Sequence, residues 1–195
     1  MQARRPFFIL ALGFSMWAAV AAGVSAKPKP CRMKDPDLSV FGIRLADAES
    51  AVRQVGSGWT LSEGEDDMPH VRFVSSNGAQ ELVLFSHYGA GEDEYGEIEV
   101  RKAGIEALVL KDLPTETFVS GRGVELGMSR ADIISRFGSC LKADEKVGDG
   151  ETIQYQIDNA DRDPDLKGFN YPVYYAEYEF ERGKLVRFRF GFEYP

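Results

Sequence analysis

Apolar and polar residues alternate with a period of two over several stretches of this chain, and twice they fall at helical spacing before a glycine. Val71-Arg72-Phe73-Val74-Ser75 and Gln80-Glu81-Leu82-Val83-Leu84 read as strands flanking Ser76-Asn77-Gly78-Ala79. Asn-Gly favours a two-residue type I′ hairpin turn. The resulting register pairs Phe73 with Leu82 and Val71 with Leu84 on one face, and Arg72 with Val83 on the other. Glu97-Ile98-Glu99-Val100-Arg101 is a further strand with Ile98 and Val100 inward. Near the C-terminus Tyr174, Ala176, Tyr178 and Phe180 alternate with Tyr175, Glu177, Glu179 and Glu181. The returning strand sets Val186, Phe188, Phe190 and Phe192 against Leu185, Arg187 and Arg189. A three-residue loop at Glu181-Arg182-Gly183 puts Tyr178 opposite Val186, Ala176 opposite Phe188, Glu177 opposite Arg187 and Tyr175 opposite Arg189. The apolar side then faces a helix and the charged side faces outward.

The helical spacing occurs in two related places. Gly42-Ile43-Arg44-Leu45 leads into a helix capped by Asp47, with Ala48, Ala51, Val52 and Val55 as its apolar stripe and Gly56 as its stop. Gly123-Val124-Glu125-Leu126 leads into a second, with Ser129 and Asp132 as a variant capping box, Ile133, Ile134 and Phe137 as the stripe, and Gly138 as the stop. Helices this short are marginal alone and need a sheet to pack on. The expected fold class is therefore α+β, two tandem repeats of a short helix on an antiparallel β-sheet. Leu113-Pro114-Thr115-Glu116-Thr117 marks the boundary, giving repeats at 27–113 and 114–195.

Composition adds an address. Arg4-Arg5, an apolar run from Phe7 to Val20 and Val24-Ser25-Ala26 form an export signal, so residues 1–26 are expected to be removed. The run is short for a membrane span, which implies no stable anchor and a periplasmic or secreted product. Arg4-Arg5 with Phe7 also admits the twin-arginine route, although ordinary unfolded export suits the lack of cofactor motifs. Without the leader arginines the balance is 21 basic against 31 acidic residues, or about −10. That charge repels phosphate backbones and argues against nucleic acid as a partner. Two cysteines, Cys31 and Cys140, read as one disulfide in an oxidising compartment. On the loop-entropy account it stabilises by about 4 to 5 kcal/mol at most.

Leu126-Gly127-Met128-Ser129, Asp132-Ile133 and Phe137-Gly138-Ser139-Cys140 together resemble the signature shared by β-lactamase-inhibitor proteins and small outer-membrane assembly lipoproteins. For the inhibitors the resemblance implies two helix-and-sheet units in tandem, with the sheets forming a concave surface that clasps an enzyme. This chain departs from that pattern in four respects. Ala46-Asp47 stands where Gly-Met-Ser would be expected, Cys140 has no candidate partner within its own repeat, the first-repeat hairpin turn is Asn77-Gly78 instead of an acidic residue, and no lipid-attachment cysteine is present.

Enzyme chemistry finds little foothold. His70 and His87 lie near the open end of the first hairpin with Asp66 and Asp67 nearby, but lack metal-ligand spacing. Asp161-x-Asp163-x-Asp165 imitates the start of a calcium loop, yet Leu166 and Pro172 occupy the Gly and Glu positions. No serine elbow, phosphate loop or dinucleotide fingerprint is present, so no cofactor is expected. Aromatic residues, with Trp59 and five tyrosines of the second unit, are the best binding signal. The expected function is a non-catalytic protein-binding module, of inhibitor or immunity type, gripping its partner through Tyr175, Glu177, Arg187 and Arg189. The alternatives are an accessory factor of an envelope assembly complex and a hydrolase with unmarked carboxylates.

Overall fold

The computed structural model describes residues 32–63, 68–87, 89–104 and 111–193. The expected leader, Cys31 and the pair Asp66 and Asp67 lie outside them. Both helices form where the caps place them. In α1 (Ala48–Val55) the Asp47 carboxylate accepts from Ser50 N, 3.0 Å away. In α2 (Arg130–Phe137) Ser129 and Asp132 close a reciprocal capping box. Gly56 and Gly138 end the helices at φ +89° and +88°, with ψ near 180°. This is not the left-handed helical conformation that a C-terminal glycine suggests. It is the extended, positive-φ region open to glycine alone.

Nine strands of the described residues share one sheet. Their order is β3 (Ser62–Glu63), β4 (Pro69–Ser75), β5 (Gln80–Phe85), β6 (Glu97–Lys102), β11 (Lys184–Glu193), β10 (Val173–Glu181), β9 (Gly150–Asp158) and β8 (Ala143–Val147). β7 (Lys111–Leu113) runs parallel beside β4, so the sheet is mixed and not wholly antiparallel. A separate two-stranded ribbon joins β1 (Ser39–Val40) to β2 (Ile43–Arg44). The sheet passes through the expected boundary without a break, because β6 and β11 pair from Arg101 opposite Arg187 to Glu97 opposite Gly191.

One face carries the core. Phe73, Leu82, Ile98 and Val100 from the first half join Tyr155, Tyr178, Phe188 and Phe190 from the second, all buried against Ala51, Val55, Ile133 and Phe137 of the helices. Phe137 stacks on Tyr178 with centroids 5.6 Å apart. Trp59 packs edge-on against Phe73, donates to Gly56 O and lies under Lys111. On the first hairpin the register is as read, with Phe73 opposite Leu82 and Val71 opposite Leu84. Its turn is not a two-residue type I′ turn. Four residues, 76–79, bridge the strands; Gly78 N donates to Ser75 O, and the Asn77 side chain accepts from Ser75 Oγ and Ala79 N.

The C-terminal hairpin corrects the expected pairing by two positions. Tyr178 lies opposite Phe188, Glu177 opposite Arg189 and Tyr175 opposite Gly191. The loop is only Arg182-Gly183, both at positive φ, as a type I′ turn requires. A bulge between Glu179 and Phe180 absorbs Val186, so Leu185 turns into the core opposite Phe180.

Candidate functional site

The face of the sheet turned away from the helices bears the charges. Across β5, β6, β11 and β10 the alternate positions are Glu81, then Glu97, Glu99 and Arg101, then Arg187 and Arg189, then Tyr175, Glu177 and Glu179. They form a connected lattice. Arg101 holds Glu81 at 2.8 Å and Glu99 at 3.1 Å. Arg187 directs Nε and Nη2 to Glu99, each at 2.8 Å, and its Nη1 to Glu177 and Glu179. Arg189 reaches Glu97 at 2.6 Å and lies over the Phe85 ring at 4.3 Å. The Tyr175 hydroxyl donates to the same Glu97 carboxylate.

Alternation alone would leave these glutamates in water, but Glu81 and Glu99 side chains are each 2% exposed. Val74, Val83 and Phe85 on the same face are buried too. A buried carboxylate needs a full set of partners, and the arginines provide them. Burial disfavours charge on Arg187, yet Glu99 first, then Glu179 and Glu177, more than reverse that, and its pKa is raised. Burial, followed by repulsion from Glu97, raises the Tyr175 pKa, keeping its hydroxyl a donor.

The four residues expected to grip a partner are thus brought together, with different roles. Arg187 and Arg189 are engaged with buried carboxylates, their side chains 24% and 11% exposed. Tyr175 and Glu177 border a cavity of about 540 Å³ that also meets Met68, Gln154, Lys142 and Glu193. Farther along β9 and β10 a smaller cavity of about 200 Å³ lies among Glu145, Thr152, Glu179 and Glu181. Both open on the charged face over β8, β9 and β10. There the side chains of Thr152, Gln154, Gln156 and Glu177 are part-exposed, and Val147 is 80% exposed. A third hollow, about 580 Å³, lies beside the start of α1 among Arg44, Asp47, Glu94 and Phe169.

The remaining sequence signals have local structural partners. His87 Nε2 lies 3.6 Å from Glu97, and the His70 ring rests against Phe85. Asp163 and Asp165 both bind Arg32, at 2.6 and 2.7 Å, so the acidic loop ties down the N-terminal arm. Cys140 is in a disulfide; the bridge expected to Cys31 ends outside the described residues. Among the described residues no helix is long and apolar enough to cross a membrane. Comparison of the chain with family models, curated proteins and solved structures finds no match.

Proposed function

We propose that the mature chain is an exported, non-catalytic protein-binding module of inhibitor or immunity type, built from two helix-and-sheet repeats. The observation that carries this reading is the part-exposed charged face over β8, β9 and β10, with cavities at two positions along it. Tyr175 and Glu177 are the contact residues; Arg189 holds Tyr175 in place through Glu97, and Arg187 binds Glu177 directly. Amphipathic tyrosine beside charged groups suits a surface that buries area with few rotors. Supporting the duplication are two helices with equivalent caps and glycine stops, each preceded by a glycine at positive φ. The surroundings of Gly42 and Gly123 are matched as well, since each lies against the seventh side chain of its helix, Gln54 or Arg136.

The test is capture from periplasmic extract at low salt with the mature protein immobilised, alongside a Tyr175→Ala variant. A defined protein partner retained by the native chain and lost by the variant is expected. Recovery of no protein would count heavily against the reading.

A further inference from the structure

We infer that the exposed side of β8, β9 and β10 docks a basic, extended segment of a partner protein, its cations meeting Glu177 at the middle of β10 and Glu181 at its end. This rests on the protein-binding reading above and adds the chemistry of the partner. Charge complementarity carries it. The β10 side chains on this face run Tyr175, Glu177, Glu179, Glu181, and their β9 neighbours are Gln156, Gln154, Thr152 and Gly150, none of them charged. Gln154 donates to Glu177 from β9, but the cations at ion-pair distance stand on the other side, where Lys184 also lies opposite Glu181. Arg187 serves Glu177 and Glu179 but is committed to buried Glu99 as well, and Lys102 approaches Glu181 only to 3.9 Å. On β8 Glu145, opposite Thr152, has no cation at ion-pair distance among the described residues. At the larger cavity Lys142 stands against Glu97, Glu177 and Glu193. The face therefore holds more negative charge than its own cations neutralise, in partly desolvated surroundings where attraction is stronger than in open water.

Spacing limits the occupant further. From Glu177 to Glu181 is four strand residues, about 13 Å. An extended segment with basic residues about four positions apart reaches both cavities, and exposed Val147 offers apolar contact beside the smaller one.

The probe is a short synthetic peptide of alternating lysine and serine, titrated into the ¹⁵N-labelled mature protein and followed by amide shifts. The control peptide alternates glutamate and serine. Saturable shifts on β8, β9 and β10 are expected, with affinity falling about tenfold as salt rises from about 0.02 to 0.2 M. The exposed pair Glu145→Gln/Glu181→Gln should weaken binding about fivefold, whereas Glu116→Gln/Glu125→Gln, elsewhere on the surface, should not. Shifts spread over the whole acidic surface, equal loss in both variants, or equal binding of the glutamate peptide would overturn the inference. Peptide binding at this face with no partner recovered from extract upholds the docking face and removes the inhibitor reading. A partner retained equally by the Glu145→Gln/Glu181→Gln variant does the reverse.

Discussion

The same side of one sheet is closed over the first half of the chain and accessible over the second. Over β5 and β6 its carboxylates are buried and matched to arginines, two of which, Arg187 and Arg189, come from the far end of the sequence. Over β8, β9 and β10 the β9 neighbours of the β10 glutamates are neutral, so cations flank them on the β11 side only, and hollows border the strands. One kind of residue, glutamate at alternate strand positions, is therefore a structural element in one half and a surface charge in the other. What separates them is the supply of guanidinium groups. A carboxylate out of water demands a partner, while one at the surface tolerates a distant one.

The largest expected effect tests the closed half. Arg187→Met takes from Glu99 a guanidinium at 2.8 Å and removes the cation between Glu177 and Glu179; a loss of about 3 to 5 kcal/mol is expected in urea unfolding. Next is Asp37, a buried carboxylate served by Ser120 Oγ and Arg122 N without a guanidinium at ion-pair distance among the described residues. Burial pushes its pKa up to about 6. Since the folded value exceeds the unfolded one, near 3.9, folding favours the protonated form. Its contribution is full below about pH 4 and is lost as pH rises through 6, about 3 kcal/mol in all. Urea unfolding across that range should show this slope, and Asp37→Asn should flatten it.

Smaller effects sharpen the comparison by treating the halves alike. Gly56→Ala and Gly138→Ala should each cost about 1 to 3 kcal/mol, because both glycines hold a backbone conformation closed to alanine. Markedly unequal losses in thermal unfolding would show that the two helix ends are not equivalent. Ser129→Ala, which opens the α2 capping box, should cost about 1 kcal/mol. Glu145→Gln, on the accessible face, should change stability by less than about 0.5 kcal/mol.

The sequence carried the helices and the first hairpin because their signals are local. Asp47, Ser129, Gly56 and Gly138 are read within one turn of the groups they serve, and Phe73 and Leu82 announce each other by alternation. The second hairpin was misread by two positions because arginine rarely takes the positive φ that Arg182 adopts, and the Val186 bulge has no local signature. Asn77-Gly78 misled in the opposite sense, since Gly78 takes positive φ without Asn77 and the turn closes one residue earlier, from Gly78 N to Ser75 O. The candidate site was half legible. Tyr175, Glu177, Arg187 and Arg189 were recognised as one charged side, but burial of Glu97 and Glu99 was not. Alternation reports which face a residue takes, and Arg187 and Arg189 lie 88 and 92 residues from the glutamates they neutralise.

Hydroxyl-radical footprinting read by mass spectrometry tests the contrast between the halves most directly. Phe85 is intrinsically the more reactive side chain, yet it should stay protected in the native protein while Val147 is oxidised readily, the two differing as 7% exposed differs from 80%. Oxidation of native Phe85 as fast as in the unfolded chain, or protection of Val147, would contradict the account.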